Sequence, residues 1–181
     1  MFVDLPPEMP IQEVRLVCST EAAARYNLPA DLVFAVALTE GGKPDSKVKN
    51  TNGTFDLGLM QFNTSYLKTL EKFGISSSDV QGKTCYPFHL AAWRISLHLK
   101  ENTGDDYFTK ASYYHSRTSF YNSIYKEKLI SNAMRYDGLR SISLYKDLIK
   151  QQKKKTKKKV LATITNIHSL RGQKVTYGVI Y

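Results

Sequence analysis

Glu40 stands where acid–base chemistry is easiest to build. It closes the run Asp31-Leu-Val-Phe-Ala-Val-Ala-Leu-Thr-Glu40, and Gly41-Gly42 follows at once. A short helix that is apolar on every side is a buried one. A carboxyl at the C-terminal end of such a helix is removed from water and faces the negative end of the helix dipole. Both effects favour its neutral form. A carboxylic acid that stays protonated near neutral pH is what protonation of a glycosidic oxygen requires. On this ground alone, a partly exposed glutamate with no chemical role accounts for the position at least as well.

Other residue types with chemical potential are less organised. Hydrolytic glycosidases commonly use two carboxylates, and the acids nearest in sequence are Asp45 and Asp56. Asp56 serves equally well as a cap for the helix expected after it. The histidines His89, His98, His115 and His168 show no metal-ligand spacing of the His-Glu-x-x-His kind. No metal is expected from that spacing. His89 and His98 read as residues on a helix surface. Cys18 and Cys85, by themselves, are compatible with two unrelated buried thiols.

The elements that must position these residues are mostly helical. Val14, Val17, Cys18, Ala22 and Tyr26 have helical spacing, predicting a helix over Ile11–Tyr26. Pro29 suits the first turn of the next helix, where a missing N–H costs little. Residues 43–57 are polar and turn-rich, with Asn52-Gly53 the strongest turn signal, and suit a small β-hairpin. From Gly58 a helix is expected through Gln61, Tyr66 and Leu67 to about Phe73, then a loop over residues 74–83. A helix over Pro87–Lys100 turns Leu90, Ala91, Ile95 and Leu99 inward. Asp105-Asp106 marks the start of another, running to about His115. A further helix spans Tyr121–Tyr136, and Gly138 separates it from Leu139–Lys150. Phe108, Tyr113, Phe120, Tyr121 and Tyr125 fall mostly at core-like spacing.

Composition limits the function classes. The chain has 181 residues, 42% of them hydrophobic, enough for one domain with a sizeable core. No apolar run approaches the roughly 20 residues of a membrane helix. The formal charge is +10, yet eight of the 26 basic residues and none of the 16 acidic ones lie in 151–181. Residues 1–150 are therefore close to neutral, which argues against nucleic acid as the partner of the core. After the Lys153–Lys159 run come β-prone stretches, readable as a terminal hairpin or as an interaction strand. The expected organisation is a domain over 1–150 and a Lys-rich linker with a β-prone tail over 151–181. The N-terminal Met-Phe-Val-Asp-Leu-Pro-Pro has neither the basic nor the apolar region of a secretory leader. For an exported protein, the expectation is that the leader has been removed.

Three stretches carry a family resemblance. Glu40-Gly-Gly-Lys43 followed by Asn50-Thr-Asn-Gly-Thr-Phe-Asp-Leu-Gly-Leu-Met-Gln-Phe-Asn63 resembles the catalytic core of soluble lytic transglycosylase-like domains. It looks closest to the version that accompanies conjugation and type IV secretion machines, and the family is related in fold to goose-type lysozyme. Tyr114-His-Ser-Arg-Thr118 with Tyr121-Asn122 is similar to a second family motif, whose tyrosine approaches the glutamate; Tyr114 matches it. Cys85-Tyr-Pro-Phe-His-Leu-Ala-Ala-Trp93 resembles the segment that opens the next helix with a cysteine. The resemblance covers about residues 14–136, with the motifs in the expected order. In the wider family a serine usually follows the glutamate, whereas here it is Gly41, so any hydrogen bond from that serine must come from elsewhere. His-Ser-Arg at 115–117 also departs from the wider motif.

The resemblance implies a mainly α, lysozyme-like fold with a small β-hairpin near the cleft. It implies Glu40 as the catalytic acid, and Gly58, Leu59, Met60, Gln61, Asn63, Tyr114, His115 and Ser116 as substrate-binding residues. Relatives carry a cysteine in the first helix, so it also implies a Cys18–Cys85 disulfide. The implied reaction uses one carboxylate and needs no metal or cofactor. Glu40 protonates the bond between N-acetylmuramic acid and N-acetylglucosamine, then accepts a proton from the muramic C6 hydroxyl as a 1,6-anhydro ring closes. The implied partners are peptidoglycan strands and, through the tail, secretion or conjugation proteins. The implied location is the periplasm or cell wall. A hydrolytic muramidase and a non-catalytic peptidoglycan-binding scaffold are the alternatives.

Overall fold

The computed structural model describes residues 5–136, and the expectations for Leu139–Lys150 and for the tail lie outside them. The order of elements is α1 (Ile11–Tyr26), α2 (Ala30–Glu40), β1 (Lys47–Lys49), β2 (Phe55–Leu57), β3 (Phe62–Asn63), α3 (Thr64–Leu70), a 3₁₀ turn (Glu71–Phe73), α4 (Ser77–Gln81), α5 (Tyr86–Lys100) and α6 (Tyr107–Ser112). Residues 119–136 form a last helix, α7. The fold is mainly helical with a small antiparallel sheet, strand order β1-β2-β3.

The uninterrupted apolar run of the second helix has the consequence expected of it. Leu32 to Ala37 are all buried, so α2 is the centre of the core. α1 packs on it through Val14, Cys18, Ala22 and Ala23, and α5 through Phe88, Ala91, Ala92 and Ile95. Phe34 is fully buried with its ring 5.3 Å from that of Tyr136. Truncating such a side chain to Ala typically costs about 3–5 kcal/mol. Gly41 ends α2 in the left-handed conformation, φ 63°, where a residue without Cβ carries no steric penalty. That stop leaves Glu40 as the last helical residue. The disulfide Cys18–Cys85 joins α1 to the start of α5, both cysteines fully buried.

Several local expectations need correction. No helix begins at Gly58. Gly58 and Gln61 both have positive φ, 66° and 49°, which breaks a right-handed helix, and Phe62–Asn63 pairs with β2 instead. The helix starts at Thr64, capped by Asn63, whose side chain accepts from the Ser65 N–H. Asp56 is therefore a strand residue, not a cap. The presumed loop over 74–83 contains α4, opened by a capping box between Ser76 and Asp79. α6 stops at Ser112, short of His115, and residues 113–115 form a turn. Phe120 and Tyr121 are not core residues but 68% and 55% exposed, because α7 buries Asn122, Tyr125, Leu129 and Tyr136. His89 is not on the surface. It is buried, facing Glu21 at 3.5 Å. His98 is partly buried against Glu101, which also binds Arg117.

Candidate active site

Glu40 opens into a cleft of about 280 Å³ that Thr39, His115, Tyr121, Ile124, Tyr125 and Lys128 line with it. The hydroxyl of Tyr125 donates to Glu40 Oε1 at 2.6 Å. Burial raises the Glu40 pKa from 4.5 to about 7. The Tyr125 hydrogen bond opposes that rise, the charge of Asp56 adds to it, and the charge of Arg94 opposes it. Desolvation is the dominant cause. A carboxyl whose pKa lies near 7 keeps a large protonated fraction at neutral pH, so it can donate a proton there and, once ionised, take one back. With Oε1 accepting from Tyr125, the proton of the neutral acid belongs on Oε2, the oxygen left for a ligand.

The loop Gly58–Gln61 is not among the residues lining this cleft, and it is held by close backbone approach. A Cβ on Gly42 would stand 2.1 Å from the Gly58 carbonyl oxygen, and one on Gly58 would stand 2.0 Å from that of Val80. Only glycine fits such contacts. Buried Arg15 donates to the Gly42 carbonyl at 2.7 Å, anchoring the chain just past Glu40. Gln61 Nε2 donates to the Gly58 carbonyl at 2.8 Å and to Ser46 Oγ at 3.2 Å, closing the turn on itself. Leu59 and Met60 are fully buried, so what they offer a ligand is main chain. Asn63 Nδ2 donates to Asp56 Oδ1 at 2.8 Å and to Thr54 Oγ1 at 2.9 Å, fixing the Asp56 carboxylate whose field reaches Glu40.

The second motif arrives from the turn after α6. Tyr114 is buried, and its hydroxyl donates to the Met60 carbonyl at 2.8 Å. It thus braces the loop while lying close enough for the charge of Glu40 to act on it, and the hydroxyl hydrogen-bonded to Glu40 is that of Tyr125. His115 is exposed and stacks on the Tyr125 ring, centroids 4.8 Å apart and planes 3° from parallel. Desolvation holds its imidazole below the usual pKa, with Asp56 opposing and Lys128 reinforcing that shift. Ser116 shapes the turn: its hydroxyl accepts from the Thr118 N–H and its carbonyl from Asn122 Nδ2. Arg94 lies over the rings of Tyr66 and Tyr114, 4.1 and 5.0 Å from their centroids. Asp45 has left-handed backbone, and its N–H donates to the Gln81 carbonyl. Among the described residues no group of three His, Cys, Asp or Glu side chains is placed to hold a metal ion.

Sequence reasoning missed Tyr125 and Arg94. Tyr125 stands 85 positions from Glu40 in the chain, and its helical spacing matches that of core tyrosines. Nothing local separates the two roles. Arg94 follows the Cys85–Trp93 motif directly, and a cation one residue past a motif opening a buried helix was the available signal.

A mainly helical domain with a desolvated carboxyl, protonated up to about pH 7, facing an open cleft has the build of a general-acid glycosidase. The chain belongs to the transglycosylase SLT domain family, whose model matches residues 17–134. Lytic transglycosylase activity and peptidoglycan binding go with that domain across the family. It is 38% identical over 79 residues to Protein IpgF of Shigella flexneri, 43% of this chain and 52% of that protein. It is 36% identical over 84 residues to Invasion protein IagB of Salmonella typhimurium, 46% of this chain and 52% of that one. The chain spans about half the length of the curated relatives it matches. No helix among the described residues is long and apolar enough to cross a membrane.

Proposed function

We propose that this protein cleaves the β-1,4 bond between N-acetylmuramic acid and N-acetylglucosamine in peptidoglycan, with Glu40 as acid and then base, releasing 1,6-anhydro products. The observation that carries this reading is the Glu40 carboxyl, desolvated to a pKa of about 7 and held by Tyr125 at a cleft. Glu40 protonates the glycosidic oxygen as the bond to muramic C1 breaks. The resulting carboxylate takes the C6 hydroxyl proton as that oxygen closes on C1, which returns Glu40 to its acid form. The loop Gly58–Gln61, Asn63, Tyr114, His115 and Ser116 form and brace the glycan site. Leu59, Met60 and Tyr114 act there through main chain and packing.

The cell setting follows from the resemblance to conjugation and type IV secretion-associated domains: local opening of the wall for such an apparatus, in the periplasm or at the wall. One relative is itself named an invasion protein. The buried disulfide suits a compartment outside the cytoplasm. Residues 1–150 carry the enzyme and 151–181 a tail for attachment. A hydrolytic muramidase is the second reading, favoured by Asp56, a positioned carboxylate whose charge acts on Glu40. Mass spectrometry of muropeptides separates the two. Anhydro-muramic ends, lost in Glu40→Gln, support the lyase. Reducing ends, lost in Asp56→Asn, support the hydrolase. No released fragments from well-folded enzyme overturns both.

A further inference from the structure

One wall of the cleft is a helical stripe that the proton transfers do not use. Tyr121, Ile124, Tyr125 and Lys128 line it, at spacings of three, one and three along α7, and residues three and four apart share a helix face. From Tyr121 to Lys128 the stripe rises about 10 Å. Tyr121 and Ile124 are 55% and 42% exposed, an apolar surface open to a ligand, whereas Tyr125 is buried and holds Glu40. Lys128 is exposed, and no carboxylate among the described residues pairs with it. Lys126, two residues earlier and off the stripe, is instead tied to Asp106 at 2.7 Å. Within the cleft, Thr39, His115, Tyr121 and Ile124 bring no anion, and Glu40 is the acid that must be protonated when the substrate binds.

We propose that Lys128 is a specificity residue that binds a carboxylate of the substrate beside the scissile bond; this rests on the peptidoglycan reading above. N-acetylmuramic acid differs from N-acetylglucosamine by a lactyl ether on O3, and that group ends in a carboxyl. On peptide-free strands the carboxyl is ionised. On peptide-bearing strands it is amide-linked, and the stem peptide carries the carboxylates instead. The lactyl group belongs to the sugar whose C1–O bond breaks, so its carboxyl lies within about one ring of the proton donor. Lys128 lies within one helical turn of Tyr125, the residue that holds that donor. An ammonium that no carboxylate among the described residues pairs with favours muramic acid over a neutral sugar at this subsite, because only the charged ligand gains an ion pair with it.

The test is binding in the inactive Glu40→Gln background, which separates recognition from turnover. Affinity is measured for peptide-free peptidoglycan strands, peptide-bearing strands and a chitooligosaccharide, with Lys128 intact, as Lys128→Gln and as Lys128→Arg. We expect Lys128→Gln to weaken binding of peptide-free strands about five- to tenfold. Binding of the chitooligosaccharide should change less than twofold, and Lys128→Arg should restore most of the loss. A loss confined to peptide-bearing strands would support the proposal with the stem peptide as the source of the carboxylate. Equal losses on all three ligands, or none on either muramic strand, would overturn it while leaving the functional reading in place. Failure of the Lys128-intact protein to bind any of the three would overturn both.

Discussion

Replacing Glu40 with Gln removes one titration from the folded protein, and the effect on stability follows from where the carboxyl sits. Its pKa is 4.5 when exposed and about 7 in the fold, chiefly through desolvation. The unfolded chain therefore releases this proton first. Between the two values the unfolded state binds fewer protons than the native state, so stability falls as pH rises. The contribution is fully present below the unfolded value and lost as pH passes through about 7. At about 1.4 kcal/mol for each unit, the loss reaches about 3 kcal/mol on the alkaline side. Glutamine keeps the shape and has no proton to lose. Urea unfolding of both proteins near pH 4 and near pH 9 gives a double difference in which the other titrating groups cancel. Wild type should lose about 3 kcal/mol more than the variant across that range. A double difference below about 0.5 kcal/mol would show that Glu40 is not desolvated in the fold, and the acid assignment would lose its physical basis.

Tyr125→Phe removes a hydrogen bond that favours ionised Glu40, so the Glu40 pKa should rise further, by roughly one unit. The alkaline limb of the pH–rate profile for muropeptide release should move up with it, and a downward or absent shift contradicts the assignment. Loss of the Cys18–Cys85 bridge, which closes a separation of 67 residues, should cost about 4 kcal/mol in the chain-entropy picture. Thermal unfolding of the double serine variant measures this, and an unchanged midpoint counts against it. Gly42→Ala drives a methyl into the Gly58 and Leu59 carbonyls, 2.1 and 2.8 Å from the new atom. It should destabilise by about 2 kcal/mol or more and lower activity by displacing the loop, where near-wild-type unfolding would be the contrary result. Truncation after Lys150 should leave release from soluble glycan fragments nearly unchanged while weakening attachment to the wall. Lost activity in a folded truncation would place the tail at the site.

Part of this protein was legible in the order of its residues, and the reason is local. Hydrophobic spacing and terminating residues act over a few positions, so α1 and the end of α2 at Gly41 could be read directly, and with them the place of Glu40. The motifs likewise carried the family, because their residues are contiguous. The tertiary structure decided what depends on distant partners. The turn at Gly58–Gln61 exists because β3 pairs back on β2, an arrangement that overrides helical spacing. His89 is buried because α1 and α5 enclose it. Tyr114 and Tyr125 have the same chemistry and are both buried, yet one grips a loop carbonyl and the other the carboxyl of Glu40. Which tyrosine meets the acid depends on how α7 packs along the end of α2, a contact between residues 85 positions apart that no local spacing encodes.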